Sequence, residues 1–128
     1  MNPPTAEWVS KAEGDYTAAS ILRRSRRPNR SDSICFHCPQ CAEKYMKARL
    51  NEARIRFSKT HDLEHLLDLV APVEPLWLMM KPRLKSLTLF AVTVRYPGMF
   101  ADPVKARAAF ESCKRFRALA RLSLGLKP

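Results

Sequence analysis

Apolar residues recur along this chain at steps of three and four, and prolines interrupt that pattern at several places. Steps of three and four are the period of an α-helix with one buried face. Proline marks helix boundaries because it lacks a backbone N–H and crowds the preceding turn. Only three glycines occur, and few stretches alternate apolar and polar residues as strands do. The pattern predicts an all-α fold, an up-and-down antiparallel bundle of four to five helices.

Five helical segments follow from these apolar stripes. Pro39 lies inside the second stripe, which continues on both sides of it. That helix is therefore either kinked at Pro39 or begins there, and the continuous stripe favours the kink. The other starts are given by N-cap residues and by proline in a first turn. The expected boundaries are Thr5 to Pro28, the polar link 28–33 to about Phe57, Thr60 to Pro72, Pro82 to about Tyr96, and Asp102-Pro103 onwards, with a short piece at Pro75–Met80.

The length of the chain suits one domain, spanning residues 1–128 with a core at about 5–121. No segment approaches the roughly 18 apolar residues that a membrane-spanning helix needs. The N-terminal residues lack the basic and apolar regions of a signal peptide. We therefore expect a cytoplasmic protein without a membrane segment, and its four cysteines should be reduced.

The charge of the chain is strongly positive: 23 Lys and Arg stand against 12 Asp and Glu, a net charge of +11. Such a surface attracts RNA, nucleotides or an acidic protein partner, although it can also serve solubility alone. Four arginines cluster at the end of the first helix, where cations also favour the helix dipole. The dipole interpretation is favoured because no aromatic residues interleave with them as in single-strand binding surfaces. They are Arg23, Arg24, Arg26 and Arg27.

Three cysteines, Cys35, Cys38 and Cys41, lie close together with His37 between them. On one helix the first and last are separated by a rise of about 9 Å, so three thiolates cannot easily converge on one ion. They share one helix face instead, as core residues do, and free cysteine is often buried. We predict core packing here, and neither a metal nor a cofactor.

Four separated motifs resemble those of one family, the HEPN domains. They occur in the order found in that family and cover roughly residues 5–121. Pro39 and Cys41 depart from the pattern, because Gln and Ala are usual at those positions. The motifs are Trp8 with Lys11-Ala12-Glu13-Gly14-Asp15, the segment from Cys35-Phe36-His37 through Ala42-Glu43-Lys44 to Ala48, Lys59-Thr60-His61-Asp62-Leu63, and Arg95-Tyr96-Pro97.

The resemblance implies a dimeric helical bundle that is paired with a small nucleotidyltransferase, often in a toxin–antitoxin or other defence system. Some relatives are metal-independent ribonucleases, which carry a late arginine followed, after four to six residues, by histidine. After Arg95 these positions hold Phe100, Ala101 and Asp102, so the motif is absent there. Elsewhere Arg56 and His61 have four residues between them, and Arg54 with His61 and Arg30 with His37 each have six, although about one such match is expected by chance. Arg56 and His61 are the candidates kept for such a pair.

Four residues are candidates for binding phosphate: Lys44, His61, Arg95 and Tyr96. Arginine can contact phosphate through two N–H groups, and lysine acts as a point charge. Glu43 lies beside the apolar stripe of the second helix, and a carboxylate near a core must be paired. A structural Glu43–Arg95 ion pair is the favoured interpretation for Glu43, whereas the roles of Lys44 and Arg95 stay open.

The sequence therefore favours a HEPN subunit without strong catalytic activity, which binds nucleotide or RNA and pairs with a small nucleotidyltransferase. The run Trp77-Leu78-Met79-Met80 is a candidate for the homodimer contact, with core packing as its alternative. Two other functions remain open. One is a ribonuclease toxin, and the other is a helical interaction protein whose positive charge meets an acidic partner.

Overall fold

The computed structural model describes residues 1–128 and contains five α-helices and one 3-10 helix. No strand occurs, which confirms the all-α bundle that the apolar stripes predicted. No helix is long and apolar enough to cross a membrane. The elements are α1 (Pro3–Arg24), α2 (Arg30–Glu52), α3 (Leu63–Val70), the 3-10 helix (Pro75–Met80), α4 (Lys81–Thr93) and α5 (Pro103–Ser123).

Capping side chains set three of the helix starts. Asn2 Oδ1 accepts the N–H of Thr5 at 2.9 Å, so α1 begins at Pro3, and Thr5 is not its cap as predicted. Asp62 caps α3 in place of the predicted Thr60, because its Oδ1 accepts two first-turn N–H groups. Asp102 caps α5 as predicted, with Pro103 in the first turn. Each cap satisfies N–H groups that would otherwise lack a partner.

Helix α2 lies at the centre of the bundle and contacts α1, α3, α4 and α5. It begins at Arg30 and continues through Pro39, so the helix does not begin at that proline. Two predicted ends were too late. Helix α2 ends at Glu52, not near Phe57, and α4 ends at Thr93, not near Tyr96.

Side-chain contacts fix the relative directions of the three longest helices. Residues paired between α1 and α2 run in opposite order along the chain, so these two helices are antiparallel. Residues paired between α2 and α5 run in the same order, so these two are parallel. The pairs are Thr5–Asn51 and Glu13–Tyr45 for α1 with α2, and Arg121–Tyr45 and Ser123–Arg49 for α5 with α2.

One continuous core of 26 buried apolar residues fills the space between the helices. Trp77 and Phe116 meet in it edge to face, with ring centroids 5.0 Å apart. The run proposed for dimer contact is therefore divided. Trp77 and Met80 belong to the core, while Leu78 and Met79 are exposed.

All four cysteines are buried, as the shared helix face of the first three predicted. A hydrogen bond with Cys113, together with burial, raises the pKa of both Cys38 and Cys41. Burial also raises the pKa of Cys35, to about 11. Cys35, Cys38 and Cys41 are thus protonated core side chains at neutral pH, whereas the hydrogen bonds with Cys38 and Cys41 lower the pKa of Cys113. No group of three His, Cys, Asp or Glu has metal-binding geometry.

Candidate functional site

Glu43 is a buried carboxylate on α2, only 5% exposed. Its Oε2 accepts a hydrogen bond from Lys47 Nζ at 3.1 Å, and its Oε1 lies 2.7 Å from His61 Nδ1. Arg95 forms no ion pair with it, so the predicted Glu43–Arg95 pair was wrong. The partners of Glu43 are instead Lys47, one turn later on the same helix, and His61, in the loop before α3.

Lys47 is itself 95% buried, and two aromatic rings next to it stabilise its charge there. Its ammonium lies 5.5 Å from the centroid of the Trp8 ring and 5.8 Å from that of Phe57, both within cation–π range. Glu43 and Lys47 are four residues apart, the spacing at which opposite charges meet on a helix. That spacing was the available sequence signal for this pair.

His61 lies in the loop immediately before α3, not in its first turn as expected. Its side chain is 72% exposed, although Nδ1 faces the buried Glu43 carboxylate. A carboxylate on one ring nitrogen orients the imidazole and leaves the other nitrogen, Nε2, free for a second partner. Glu43 therefore positions His61.

His61, Glu43 and Arg95 line one cavity of about 320 Å³ between α2, α4 and the start of α3. Gln40, Thr88 and a second carboxylate, Asp62, whose Oδ1 caps α3, add polar groups to its wall. Arg95 follows the end of α4, is exposed and has no carboxylate within ion-pair distance. The cavity thus joins an oriented imidazole and an unpaired guanidinium, which together can bind an anion.

The other two predicted phosphate ligands do not line this cavity. Tyr96 is 59% exposed and is absent from its wall. Lys44 points to the α1 side of α2, where its Nζ donates to Asp15 Oδ2 at 2.5 Å. Asp15 Oδ1 also lies 2.8 Å from His37 Nδ1. Lys44 is therefore already paired and is not part of the wall that His61 and Arg95 share.

Glu13 organises a second group of charges on the same side of the bundle. Arg117 contacts both of its carboxylate oxygens at 2.7 Å, and the Tyr45 hydroxyl donates to it at 2.5 Å. Arg121 lies 3.5 Å from Glu13 and donates to the Tyr45 oxygen. Burial alone would raise the pKa of Glu13, but the hydrogen bonds from Arg117 and Tyr45 reverse this and lower it.

These contacts give a structural reason for two of the sequence motifs. The motif on α1 supplies the carboxylates Glu13 and Asp15, and the motif on α2 supplies His37, Lys44 and Tyr45 as their partners. The motifs therefore join α1 to α2. Sequence reasoning missed this network, because its partners are separated by 22 to 104 residues.

Arg56 lies in a different place from His61. It lines a surface cavity at the end of α2 together with Asn51, Arg54 and Phe57. His61 is not part of that wall and lines the cavity with Arg95 instead. The structure thus brings His61 together with Arg95, from a distant part of the chain, and not with Arg56.

The fold is a helical bundle in which the sequence motifs join α1 to α2, and a comparison with models of protein families identifies the family of this bundle. The model of the HEPN domain family matches residues 5–123, nearly the whole chain. The chain therefore belongs to the HEPN domain family, as the four motifs predicted. No curated protein and no solved structure gives a significant match.

Proposed function

We propose that this protein is a HEPN subunit that binds the phosphate of a nucleotide or of RNA in the cavity between α2 and α4. The observation that carries the proposal is the meeting of His61 and unpaired Arg95 on one wall. Arg95 supplies a permanent positive charge with paired N–H donors, which suits phosphate. His61 offers Nε2, and Glu43 holds the ring in position.

The roles of the other predicted ligands change in this proposal. Lys44 stabilises the α1–α2 contact through Asp15 and does not bind the ligand. Tyr96 follows Arg95 directly and is largely exposed, so its ring can stack on a base beside the bound phosphate.

Equilibrium binding of a fluorescent single-stranded RNA tests this site. The Arg95→Gln variant should bind about 10-fold more weakly, because a charged hydrogen bond contributes about 1.5–3 kcal/mol. Lys85→Gln is the matched control, since it removes the same charge from the exposed surface of α4. Equal losses in the two variants would mean that RNA responds only to the total charge.

A nucleotidyltransferase partner and homodimerisation complete the proposal, in a toxin–antitoxin or other defence system. Family membership supports both, and the exposed Leu76, Leu78 and Met79 offer an apolar contact surface. Light scattering should give a dimer mass for the wild type and a monomer mass for Met79→Asp. Co-expression with a nucleotidyltransferase encoded beside the gene should yield a complex that survives purification, and separate elution would contradict this part.

A ribonuclease is the second candidate function, favoured by the carboxylate–histidine pair beside Arg95. In this mechanism His61 Nε2 takes the proton of a ribose 2′-hydroxyl, whose oxygen attacks the adjacent phosphorus. The 5′-oxygen of the next nucleotide leaves and takes up a proton from water, which yields a 2′,3′-cyclic phosphate. Arg95 stabilises the charge on the phosphorane.

RNA incubated with the protein in the presence of EDTA tests this alternative. Cleavage should disappear in His61→Ala and in Arg95→Ala, and it should persist in Arg56→Ala, since Arg56 lines another cavity. Loss of cleavage in Arg56→Ala but not in Arg95→Ala would favour the pair first suggested by sequence spacing. Uncut RNA with all proteins would favour the binding subunit.

A further inference from the structure

A second cavity lies at the N-terminal end of α2, where the end of α1 and the start of α5 meet it. We call it the basic cleft. Its volume is about 450 Å³, within the range of about 300–1,000 Å³ typical of ligand sites. Polar side chains lining it are Arg23, Arg30, Ser31, Arg107 and Glu111, and the remaining wall is formed by Ile34, Pro103, Ala106 and Phe110.

None of the three arginines of the basic cleft forms an ion pair, but two of them are held in place. Arg30 Nη1 donates to the carbonyl oxygens of Arg23, at 3.3 Å, and of Ser25, at the end of α1. The guanidinium carbon of Arg23 lies 4.7 Å from the centroid of the Phe110 ring. Arg107 is exposed on α5 and makes no hydrogen bond. The cleft therefore presents fixed positive charge with free donors.

Ser31 is the second, independent observation. It is 91% buried on the wall of the cleft, yet its hydroxyl has no hydrogen-bond partner in the protein. Asn29, the N-cap of α2, makes no side-chain bond to the first turn, so the adjacent backbone N–H groups also lack a capping acceptor. No buried side-chain oxygen in the protein lacks a partner, so the Ser31 hydroxyl reaches the solvent of the cleft and is free to donate to an acceptor bound there.

The charge on the wall identifies the chemistry of the ligand. Three arginines and one glutamate leave a net charge of about +2. A phosphate monoester carries about −1.5 to −2 at pH 7, whereas a backbone diester carries about −1. Phe110 is only 3% exposed, and it stacks on Tyr16 with ring centroids 5.7 Å apart, so no ring face is free for a base. The cleft recognises phosphate and not the base.

We propose that the basic cleft binds a terminal phosphate monoester, carried by a free nucleotide or by the 5′ end of RNA. The site is separate from the cavity of His61 and Arg95. Ile34 and Glu43, which line the two sites, are separated by roughly 13 Å of helix rise. The two cavities also lie against different helices, α1 and α5 here and α4 there. Phosphate binding in the basic cleft can therefore be tested independently of the function proposed for the cavity between α2 and α4.

A nitrogen–proton NMR titration with AMP measures binding at this site through the amide of Ser31. In the wild type this amide should shift and saturate, and adenosine should leave it unchanged. Arg107→Gln should weaken the affinity read at Ser31 about 5- to 10-fold. Glu111→Gln should strengthen it about 2- to 5-fold, because it removes the only carboxylate on the wall. Arg115→Gln, an exposed charge on the same helix outside the cleft, is the matched control.

Short RNA with a 5′-phosphate or a 5′-hydroxyl gives the remaining test. A larger shift of Ser31 with the 5′-phosphate supports an RNA end as the ligand, and a shift with AMP alone supports a free nucleotide. Equal weakening by Arg107→Gln and Arg115→Gln, or equal shifts with AMP and adenosine, would overturn the proposal. Arg95→Gln should leave the affinity at Ser31 within about 2-fold, so a failure of the α2–α4 site is measured separately.

Discussion

Around the middle of α1 the neighbouring cations pair with carboxylates, whereas at the C-terminal end of α1 the cations of the basic cleft have no carboxylate partner. In the middle region Glu13 binds Arg117 and Arg121, and Asp15 binds Lys44. At the basic cleft Arg23 and Arg107 have no carboxylate partner. Both regions join the same three helices, α1, α2 and α5. They therefore differ in whether their cations are paired with carboxylates, and not in the helices that form them.

The difference indicates how a net charge of +11 is distributed. Paired cations in the middle region are part of the fold, because removing one would leave a carboxylate without its partner. At the basic cleft, Arg107 makes no hydrogen bond or ion pair, so it contributes little to folding and keeps its charge for a ligand. The total charge of the chain alone does not distinguish the two groups.

The largest effect should come from breaking the paired region at Arg117. We expect Arg117→Ala to lower the free energy of unfolding by about 2–3 kcal/mol, since it removes two charged hydrogen bonds and leaves Glu13 half-satisfied. Urea denaturation followed by circular dichroism measures this change. Arg115→Ala, an exposed neighbour on the same helix, should change it by less than about 0.5 kcal/mol. Equal losses of stability in the two variants would show that the ion pair of Arg117 with Glu13 does not stabilise the fold.

A smaller effect concerns pH and Glu13, whose folded-state pKa is lowered from 4.5. A lowered carboxyl pKa adds stability that is present above the unfolded value and is lost as pH falls through the folded value. The wild type should therefore lose stability below about pH 4.5, and Glu13→Gln should show a shallower loss there, together with about 1–2 kcal/mol less stability at pH 7. Unfolding curves from pH 3 to pH 7 measure both.

Glu7→Gln serves as the control for that experiment, because Glu7 is 72% exposed on α1 and its ion pair is with the exposed Lys11. It should cost less than about 0.5 kcal/mol at pH 7. A loss as large as that of Glu13→Gln would show that helix α1 responds to any missing carboxylate.

The hydroxyl of Tyr45 should have an effect of about 1 kcal/mol. Tyr45→Phe keeps the fully buried ring but removes the hydrogen bonds with Glu13 and Arg121. Thermal unfolding at pH 7 measures the change. A double variant with Arg121→Ala should be less destabilised than the sum of the two single variants, because both remove the same hydrogen bond.

The smallest effect belongs to the basic cleft. Arg107→Ala should leave the free energy of unfolding within about 0.5 kcal/mol of the wild type, because Arg107 makes no hydrogen bond or ion pair. The same denaturation experiment as for Arg117 tests it. A stability loss comparable to that of Arg117→Ala would place this arginine in the paired group and end the contrast between the two regions.

The helices, their order and the burial of the cysteines could be predicted from the sequence, because periodicity and capping act over a few residues. Asp102-Pro103 gave the start of α5 correctly for this reason. Local signals also misled where several cap residues compete. Asn2 precedes two prolines and caps α1, although Thr5 was the stronger match to a cap before an apolar stripe.

The candidate site depended on contacts that no local pattern reports. Arg117 and Glu13 are 104 residues apart, and Arg95 reaches the His61 cavity only after α4 has packed on α2. The arginines ending α1 were explained by the helix dipole, and only the fold brings Arg107 of α5 to the same cavity. Of the partners of Glu13, the family motifs contain only Tyr45, and they do not distinguish ion pairing from ligand binding.

The placement of the two tryptophans has a consequence for how the folding of this chain can be followed. Trp8 contacts Phe57 beyond the end of α2, whereas Trp77 contacts Phe116 of α5. The Trp8–Phe57 contact joins α1 to the segment after α2, and the Trp77–Phe116 contact joins the 3-10 helix to α5, so the two tryptophans report on different parts of the bundle. Fluorescence of Trp8 in a Trp77→Phe variant therefore reports the packing of α1, and fluorescence of Trp77 in a Trp8→Phe variant reports the arrival of α5. The protein carries its own pair of optical probes for the order of assembly.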